Sequence, residues 1–279
     1  MSQRSKVLSL ITALILAMSL VLVGCNGNNG GNGNNSDNGD APVKTITAGV
    51  LTVGSDCDYP PFIELDGDQP AGYEFELLNA IGDEIGLTVE YLAPQNFDTI
   101  LASVASGTKM DVGVSSFTIN DERKQLVNFT TPYFDSNQAV VAMKTAPYTK
   151  AMDFNGLTVG AQSGTTGADW VRENLTNAGT VLKEYNQASE LMAALNAGDI
   201  QGAFFDEPVA AEYVAKLYTD SQIVESIPTG EQYGISVSKD NPELLDAINK
   251  AMVTIKKNGT FDKIFLKYFP ELTPPSLGA

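Results

Sequence analysis

The residues best placed to do chemistry stand at the ends of two short apolar strands. Asp111-Val-Gly-Val114 leads into Ser115-Ser116, and Gly202-Ala-Phe-Phe205 leads into Asp206-Glu207. Each strand follows an apolar-periodic stretch that ends in glycine, Leu101–Gly107 and Met192–Gly198, and Gly107 stands as far from Ser115 as Gly198 does from Asp206. Hydroxyls and carboxylates at such strand ends can hold a small polar molecule in a crevice. The chain has no histidine. Serine–histidine–aspartate, cysteine–histidine and histidine-ligated metal chemistry are therefore excluded together. What remains is recognition by hydrogen bonds and charge, or acid–base work by carboxylates.

The elements that position these residues also come twice. Leu51-Thr52-Val53-Gly54 recurs letter for letter as Leu157-Thr158-Val159-Gly160. In the first copy, Phe75, Leu78, Ile81 and Ile85 predict a helix over 72–85 with Gly86 as its cap. Leu87–Tyr91 alternates as a half-buried strand, and Phe97, Ile100, Leu101 and Val104 predict a helix stopping at Gly107. Asn120-Asp121 offers the N-cap of another. The second copy keeps the order: strand 157–160, a helix to Leu175, strand Val181–Tyr185, a helix from Ser189 to Gly198, and Pro208 in the first turn of the next. The chain then returns to the first half through Tyr233–Val237. A helix follows with the stripe Leu245, Ile248, Met252 and Ile255, and a last one with Phe261, Ile264, Phe265 and Tyr268. Strands alternating with helices give an α/β chain of two lobes. We expect lobe one over 45–139 and 235–273, lobe two over 140–234, and a two-stranded hinge near Gln138–Met143 and Tyr233–Ser238.

The first residues read as an address. Arg4 and Lys6 precede an apolar run from Val7 to Val23, and Leu22-Val23-Gly24-Cys25 follows. A basic start, a short apolar core and small residues before a cut describe a secretory signal over 1–24. Leu-x-Gly-Cys resembles the lipobox of bacterial lipoproteins, which implies a lipid on Cys25. Asn26–Asp40, almost all Asn and Gly, has no apolar side chain to bury, and residues 25–44 read as a tether with a reach on the order of 20 Å. The net charge is −17, a surface that repels nucleic acid and anionic lipid. Of the two cysteines, a lipidated Cys25 leaves Cys57 without a disulfide partner. This argues against a stapled fold or a cysteine metal site, and Cys57 reads as a small packed residue.

Ser115-Ser116-Phe117-Thr118-Ile119-Asn120-Asp121-Glu122-Arg123-Lys124 resembles the S/G-x-T-I-T-x-E-R-K segment of the polar amino-acid-binding lipoproteins of bacterial ABC importers, the extracellular solute-binding family 3. Tyr59-Pro60-Pro61-Phe62, Gly164-Thr165-Thr166-Gly167, Asp206-Glu207-Pro208 and Tyr233-Gly234-Ile235 extend the resemblance, in order, from about Leu51 to Phe269. It implies the two-lobed periplasmic-binding-protein-like fold of type II, and capture of a free amino acid by closure about the hinge. It also implies delivery to an ABC permease, lipid anchoring on the extracytoplasmic face of the membrane, and a monomer with no cofactor and no catalysis. Arg123 matches the family's carboxylate-binding arginine and can offer two parallel N–H groups. Thr118, the amide after Ser116 and the helix start at Thr166 could add donors. Asp206 matches the ammonium-binding aspartate, with the Ser116 carbonyl and the Thr118 hydroxyl as further acceptors. Asp56, Asp58, Tyr59, Phe97 and Gln162 match or border positions that touch the ligand side chain. Two aromatic faces with Asp56 or Asp58 would suit arginine, lysine or ornithine, and Ser115-Ser116 resembles the basic branch. Gln162 would suit a neutral amide such as glutamine.

Each residue has a plainer alternative. Arg123 could be a solvated helix arginine, Asp206 a cap for the Pro208 helix, Thr165-Thr166 an ordinary turn, Tyr59 and Phe97 plain core, and Asp58 a turn cap. A cyclohexadienyl-dehydratase-like enzyme on the same fold is the alternative function. It would need a buried carboxylic acid in the cleft, for which Asp58 or Glu173 could be nominated. A sensor module is a third.

Overall fold

The computed structural model describes residues 43–277. The expected signal over 1–24, the lipid site at Cys25 and nearly all of the tether over 25–44 lie outside the described residues.

Two five-stranded sheets carry the fold, and their strand orders correspond one to one. The first runs Thr88–Tyr91, Val50–Gly54, Val112–Gly113, Ser236–Ser238, Val127–Phe129. The second runs Val181–Tyr185, Thr158–Gln162, Gly202–Asp206, Phe134–Met143, Ser221–Tyr233. In both, the first three strands are parallel and the last two antiparallel. The two LTVG copies thus hold the same place, one strand in from the parallel edge. Helical crossovers impose the parallel pairs: Tyr73–Ile85 and Phe97–Ser106 in the first half, Thr166–Asn174 and Ala188–Ala197 in the second. Gly86, Gly107 and Gly198 end three of these helices in the left-handed conformation, where a Cβ would be strained.

The chain changes sheet over 130–133 and returns over 234–235. The expected first crossing, Gln138–Met143, instead lies inside a strand of the second sheet. Phe134–Met143 is paired on one side by Gly202–Asp206 and on the other by Ser221–Tyr233. The two crossings run side by side. Thr130 N–H donates to the Ile235 carbonyl and Tyr133 N–H to the Tyr233 carbonyl, both at 3.0 Å. Residues 117–119 join them, with Ile119 N–H on the Gln232 carbonyl at 2.8 Å. Aromatic rings fill the space around the crossings. Phe134 stacks on Tyr233 at 5.6 Å, and Phe62, Tyr73, Phe265 and Phe269 meet Phe134 at 4.7–6.4 Å.

A small antiparallel sheet, Asp58–Tyr59, Ile63–Asp66 and Gln69–Ala71, was not expected from the sequence. It sits between the first strand and the first helix and brings Tyr59 to the site. The helix Pro242–Lys257 starts as expected, with the Asn241 side chain accepting from Leu244 N–H. Its fully buried leucine is Leu244, and Leu245 is half-buried.

Candidate functional site

Between the sheets, Tyr59, Phe97, Ser115, Ser116, Thr118 and Arg123 face Gln162, Thr165, Thr166 and Asp206 around a cavity with about 10 Å³ open, room for roughly one water. These are the residues singled out from the sequence, apart from Asp56 and Asp58.

Arg123 is 8% exposed, so it is not a solvated surface arginine. The Asn120 side chain caps its helix by accepting from Arg123 N–H at 2.8 Å. The guanidinium lies 5.5 Å from the Phe97 ring centroid and 5.7 Å from that of Phe117, two rings stacked at 4.7 Å. Nη1 donates to the Thr118 carbonyl at 2.9 Å, and Nη2 crosses to the Gly164 carbonyl at 3.0 Å. No ion pair joins it to a carboxylate among the described residues. Burial pulls its pKa down, while Asp206 and Glu231 pull the other way; the group stays charged. A buried cation with two carbonyl acceptors and spare N–H donors can take up an anion.

Asp206 ends the strand Gly202–Asp206 opposite. It precedes the helix Glu207–Glu212, yet its side chain makes no capping bond. Its carboxylate accepts instead from Gln138 Nε2 and from the Tyr233 hydroxyl. Its own N–H donates across the cleft to Tyr59 Oη at 3.3 Å. Burial, reinforced by Glu231, pushes its pKa up to about 7 against the hydrogen bonds from Tyr233 and Gln138.

The hydroxyls are held in fixed directions. Ser115 donates to Asp56 Oδ1 at 2.6 Å. Ser116, with φ +50°, gives both its N–H and its hydroxyl to Glu74 Oε1, at 2.7 and 3.1 Å. Thr165 caps the helix Thr166–Asn174, accepting from Ala168 N–H at 3.2 Å. Thr118 and Thr166 both donate to Glu231 Oε2, at 2.6 and 2.9 Å.

Asp56 and Gln162 meet across the cleft, Gln162 Nε2 donating to Asp56 Oδ2 at 3.0 Å, while Gln162 Oε1 is buried without a partner. Asp56 is raised in pKa by burial, against hydrogen bonds from Ser115 and Gln162. Asp58 accepts from Ser189 N–H at 2.8 Å, at the start of the helix Ala188–Ala197, so its carboxylate caps an element across the cleft. It lines a second, outer cavity of about 560 Å³ together with Asp56, Cys57 and Glu64. Cys57 is buried, has φ +52°, and has its thiol pushed up to about 11, chiefly by burial. Glu173, nominated with Asp58 for proton transfer, is exposed.

Sequence reasoning missed Glu231, Gln138, Phe117 and Glu74. Glu231 lies two residues before the Tyr233-Gly-Ile segment, which was the available signal. Glu74 is fully buried and accepts from Tyr133 as well as Ser116, and burial pushes it to about 7. Among the described residues no His, Cys, Asp or Glu cluster could hold a metal ion, and no helix is long and apolar enough to cross a membrane.

The model of the bacterial extracellular solute-binding proteins, family 3, matches residues 51–271. The L-cystine-binding protein TcyJ of Escherichia coli (strain K12) is 31% identical over 229 residues, covering 81% of this chain and 85% of TcyJ. Among solved structures, an ancestral arginine-binding protein bound to arginine superposes with a TM-score of 0.76 at 38% identity, over 79% of this chain and 98% of that one. An ancestral arginine-binding protein bound to glutamine gives 0.76 at 37% identity, over 81% and 100%. The chain belongs to the bacterial extracellular solute-binding proteins, family 3.

Proposed function

We propose that this member of the family captures a free polar amino acid in the inner cavity and delivers it to the permease of an ABC importer. The observation that carries this reading is the buried, unpaired guanidinium of Arg123 facing a cavity whose opposite wall holds Asp206. Arg123 takes the ligand carboxylate through parallel N–H bonds, with free amides at the helix start by Thr166 adding donors. Asp206 takes the ammonium. A charge-assisted hydrogen bond contributes about 1.5–3 kcal/mol, so several of them support micromolar binding, near −8 kcal/mol.

A cavity with about 10 Å³ open cannot hold an amino acid. The sheets must part to admit one, breaking the Arg123–Gly164, Asp56–Gln162 and Asp58–Ser189 bonds. We take the two sheets as the two lobes, with the chain crossing over 130–133 and returning over 234–235, so that the first division falls near 133/134 rather than the expected 139/140. Ligand contacts made by both lobes then favour closure.

The ligand side chain is directed past Tyr59 and Phe97 toward Asp56, Gln162 and Asp58. Arg123 is one cation against the carboxylates of Asp56, Asp206 and Glu231. That balance favours arginine, lysine or ornithine over glutamine. The two ancestral arginine-binding proteins were solved with different ligands, one with arginine and one with glutamine. The leader ending at Gly24 and the lipid on Cys25 would hold the protein, as a monomer on its tether, at the extracytoplasmic face near its permease.

Thermal shift with the twenty amino acids tests the reading. At a hundredfold excess over Kd, binding stabilises by about 2.7 kcal/mol, roughly 5–10 °C for a chain of this size. Arginine or lysine should give the largest rise. A response to glutamine alone overturns the basic preference, and no response to any amino acid overturns the capture reading. Prephenate should not be turned over.

A further inference from the structure

Glu231 sits near the end of the strand Ser221–Tyr233, beside the crossing between the sheets. Its Oε2 accepts the Thr118 hydroxyl at 2.6 Å from the first half and the Thr166 hydroxyl at 2.9 Å from the second. Its Oε1 accepts from Gln138 Nε2 at 3.1 Å, and the same nitrogen donates to Asp206. A hydroxyl carries one hydrogen and two lone pairs. With both hydrogens turned to Glu231, Thr118 and Thr166 have only lone pairs left for the cavity they line. Gln138 Nε2 also lies 3.2 Å from Thr166 Oγ1, but its two hydrogens are shared with Asp206 and Glu231. The side chains on this wall therefore present acceptors: two hydroxyl oxygens and the Asp206 carboxylate. Arg123, with no acceptor of its own, presents donors.

We propose that Glu231 is a positioning residue that fixes which way round the ligand binds. It turns the Thr118 and Thr166 hydroxyls into acceptors for the ligand's ammonium, so that the carboxylate is left to Arg123 and backbone amides. Thr118 was open to either part in the sequence; this geometry assigns it to the ammonium. The inference rests on the amino-acid reading of the cavity and adds to it the polarity of the site. A second carboxylate beside Asp206 also strengthens the local field that draws an ammonium in.

The test compares arginine with its des-amino analogue, 5-guanidinopentanoate, by calorimetry on the wild type and on Glu231→Gln. The amide can donate to a threonine oxygen and reverse its hydroxyl, so the acceptor wall is lost while side-chain size is kept. Arginine affinity should fall about tenfold, one charge-assisted bond's worth. The analogue, which has no ammonium, should change less than about twofold, so the ratio between the two collapses. Thr118→Val, which removes one of the oriented oxygens, should lower the same ratio and serves if Glu231→Gln does not fold. An unchanged ratio means Glu231 only joins the sheets and overturns the proposal. Tighter arginine binding in Glu231→Gln overturns it too, because Glu231 would then be competing with the ligand carboxylate. If the thermal screen selects glutamine, glutamine and its des-amino analogue replace the pair. A wild type that binds no free amino acid fails the functional reading first, and the proposal with it.

Discussion

Asp56 and Gln162 occupy the same position in the two copies of the LTVG repeat, and they are hydrogen-bonded to each other at 3.0 Å across the cleft. The contact neutralises part of a buried carboxylate's need for donors. A guanidinium or ammonium tip arriving at Asp56 would replace an amide donor with a charged one, a gain of about 1 kcal/mol or more. Asp56→Asn should therefore weaken arginine binding roughly 10–100-fold and glutamine binding far less. Competition titrations of the two ligands on the variant check this; equal losses for both would show that Asp56 does not select the side chain.

Asp206 gives binding a pH dependence. Its carboxyl sits at about 7 because of burial and Glu231, and a ligand ammonium favours the ionised form. Below pH 7 binding must release that proton. Affinity should thus rise by up to about tenfold per pH unit between pH 5 and 7 and level off above. Calorimetry at pH 5, 6, 7 and 8 should show this slope in the wild type. Asp206→Asn should bind weakly and with a shallower slope in that window, Asp56 being the other ligand-facing carboxyl that burial raises.

The unliganded protein should behave in the opposite sense. Glu74 and Asp206 are both pushed from ordinary values, 4.5 and 3.8, to about 7, and burial also raises Asp56 and Asp58. The folded chain then binds more protons than the unfolded chain between about pH 4 and 7, so stability falls as pH rises through that window. The melting temperature without ligand should be higher at pH 5 than at pH 7.5. Glu74→Gln, which removes one of the groups, should flatten the difference.

How much of this was legible in the sequence follows from where each residue's partners lie. The LTVG repeat and the equal spacings to Ser115 and Asp206 are local features, and local features of α/β units fix strand order through short crossovers. Arg123 came from a linear motif whose N-cap, Asn120, lies inside it. Glu231 and Gln138 face the cleft only because Ser221–Tyr233 pairs with Phe134–Met143 through two register shifts, one of them at Ile227/Glu231. Pro228 and Gly230 break the alternation that would have announced a strand. Glu74 carried no signal, since a carboxylate between the periodic apolar positions of a helix reads as its solvated face.

Gly164 is the point where backbone meets backbone across the cleft. It has φ +73°, and a Cβ there would lie 2.9 Å from Asp98 Cβ and 3.2 Å from its Cα. Its carbonyl is also the acceptor for Arg123. Gly164→Ala adds left-handed strain of roughly 1–2 kcal/mol and wedges the closed form at backbone that cannot rotate away. Ligand affinity should drop roughly tenfold or more. Small-angle scattering should show a smaller decrease in radius of gyration on adding ligand than the wild type gives. A variant that closes as fully as the wild type would refute the role of this contact.

The central claim is that a buried guanidinium from one half and a carboxylate from the other grip a zwitterion. Isothermal titration of amino acid into Arg123→Ala, with circular dichroism confirming an intact fold, tests it most directly. The account predicts a loss of roughly a hundredfold or more, with Arg123→Lys unable to restore wild-type affinity because a lysine cannot make the parallel pair of bonds. Unchanged affinity in Arg123→Ala would contradict it.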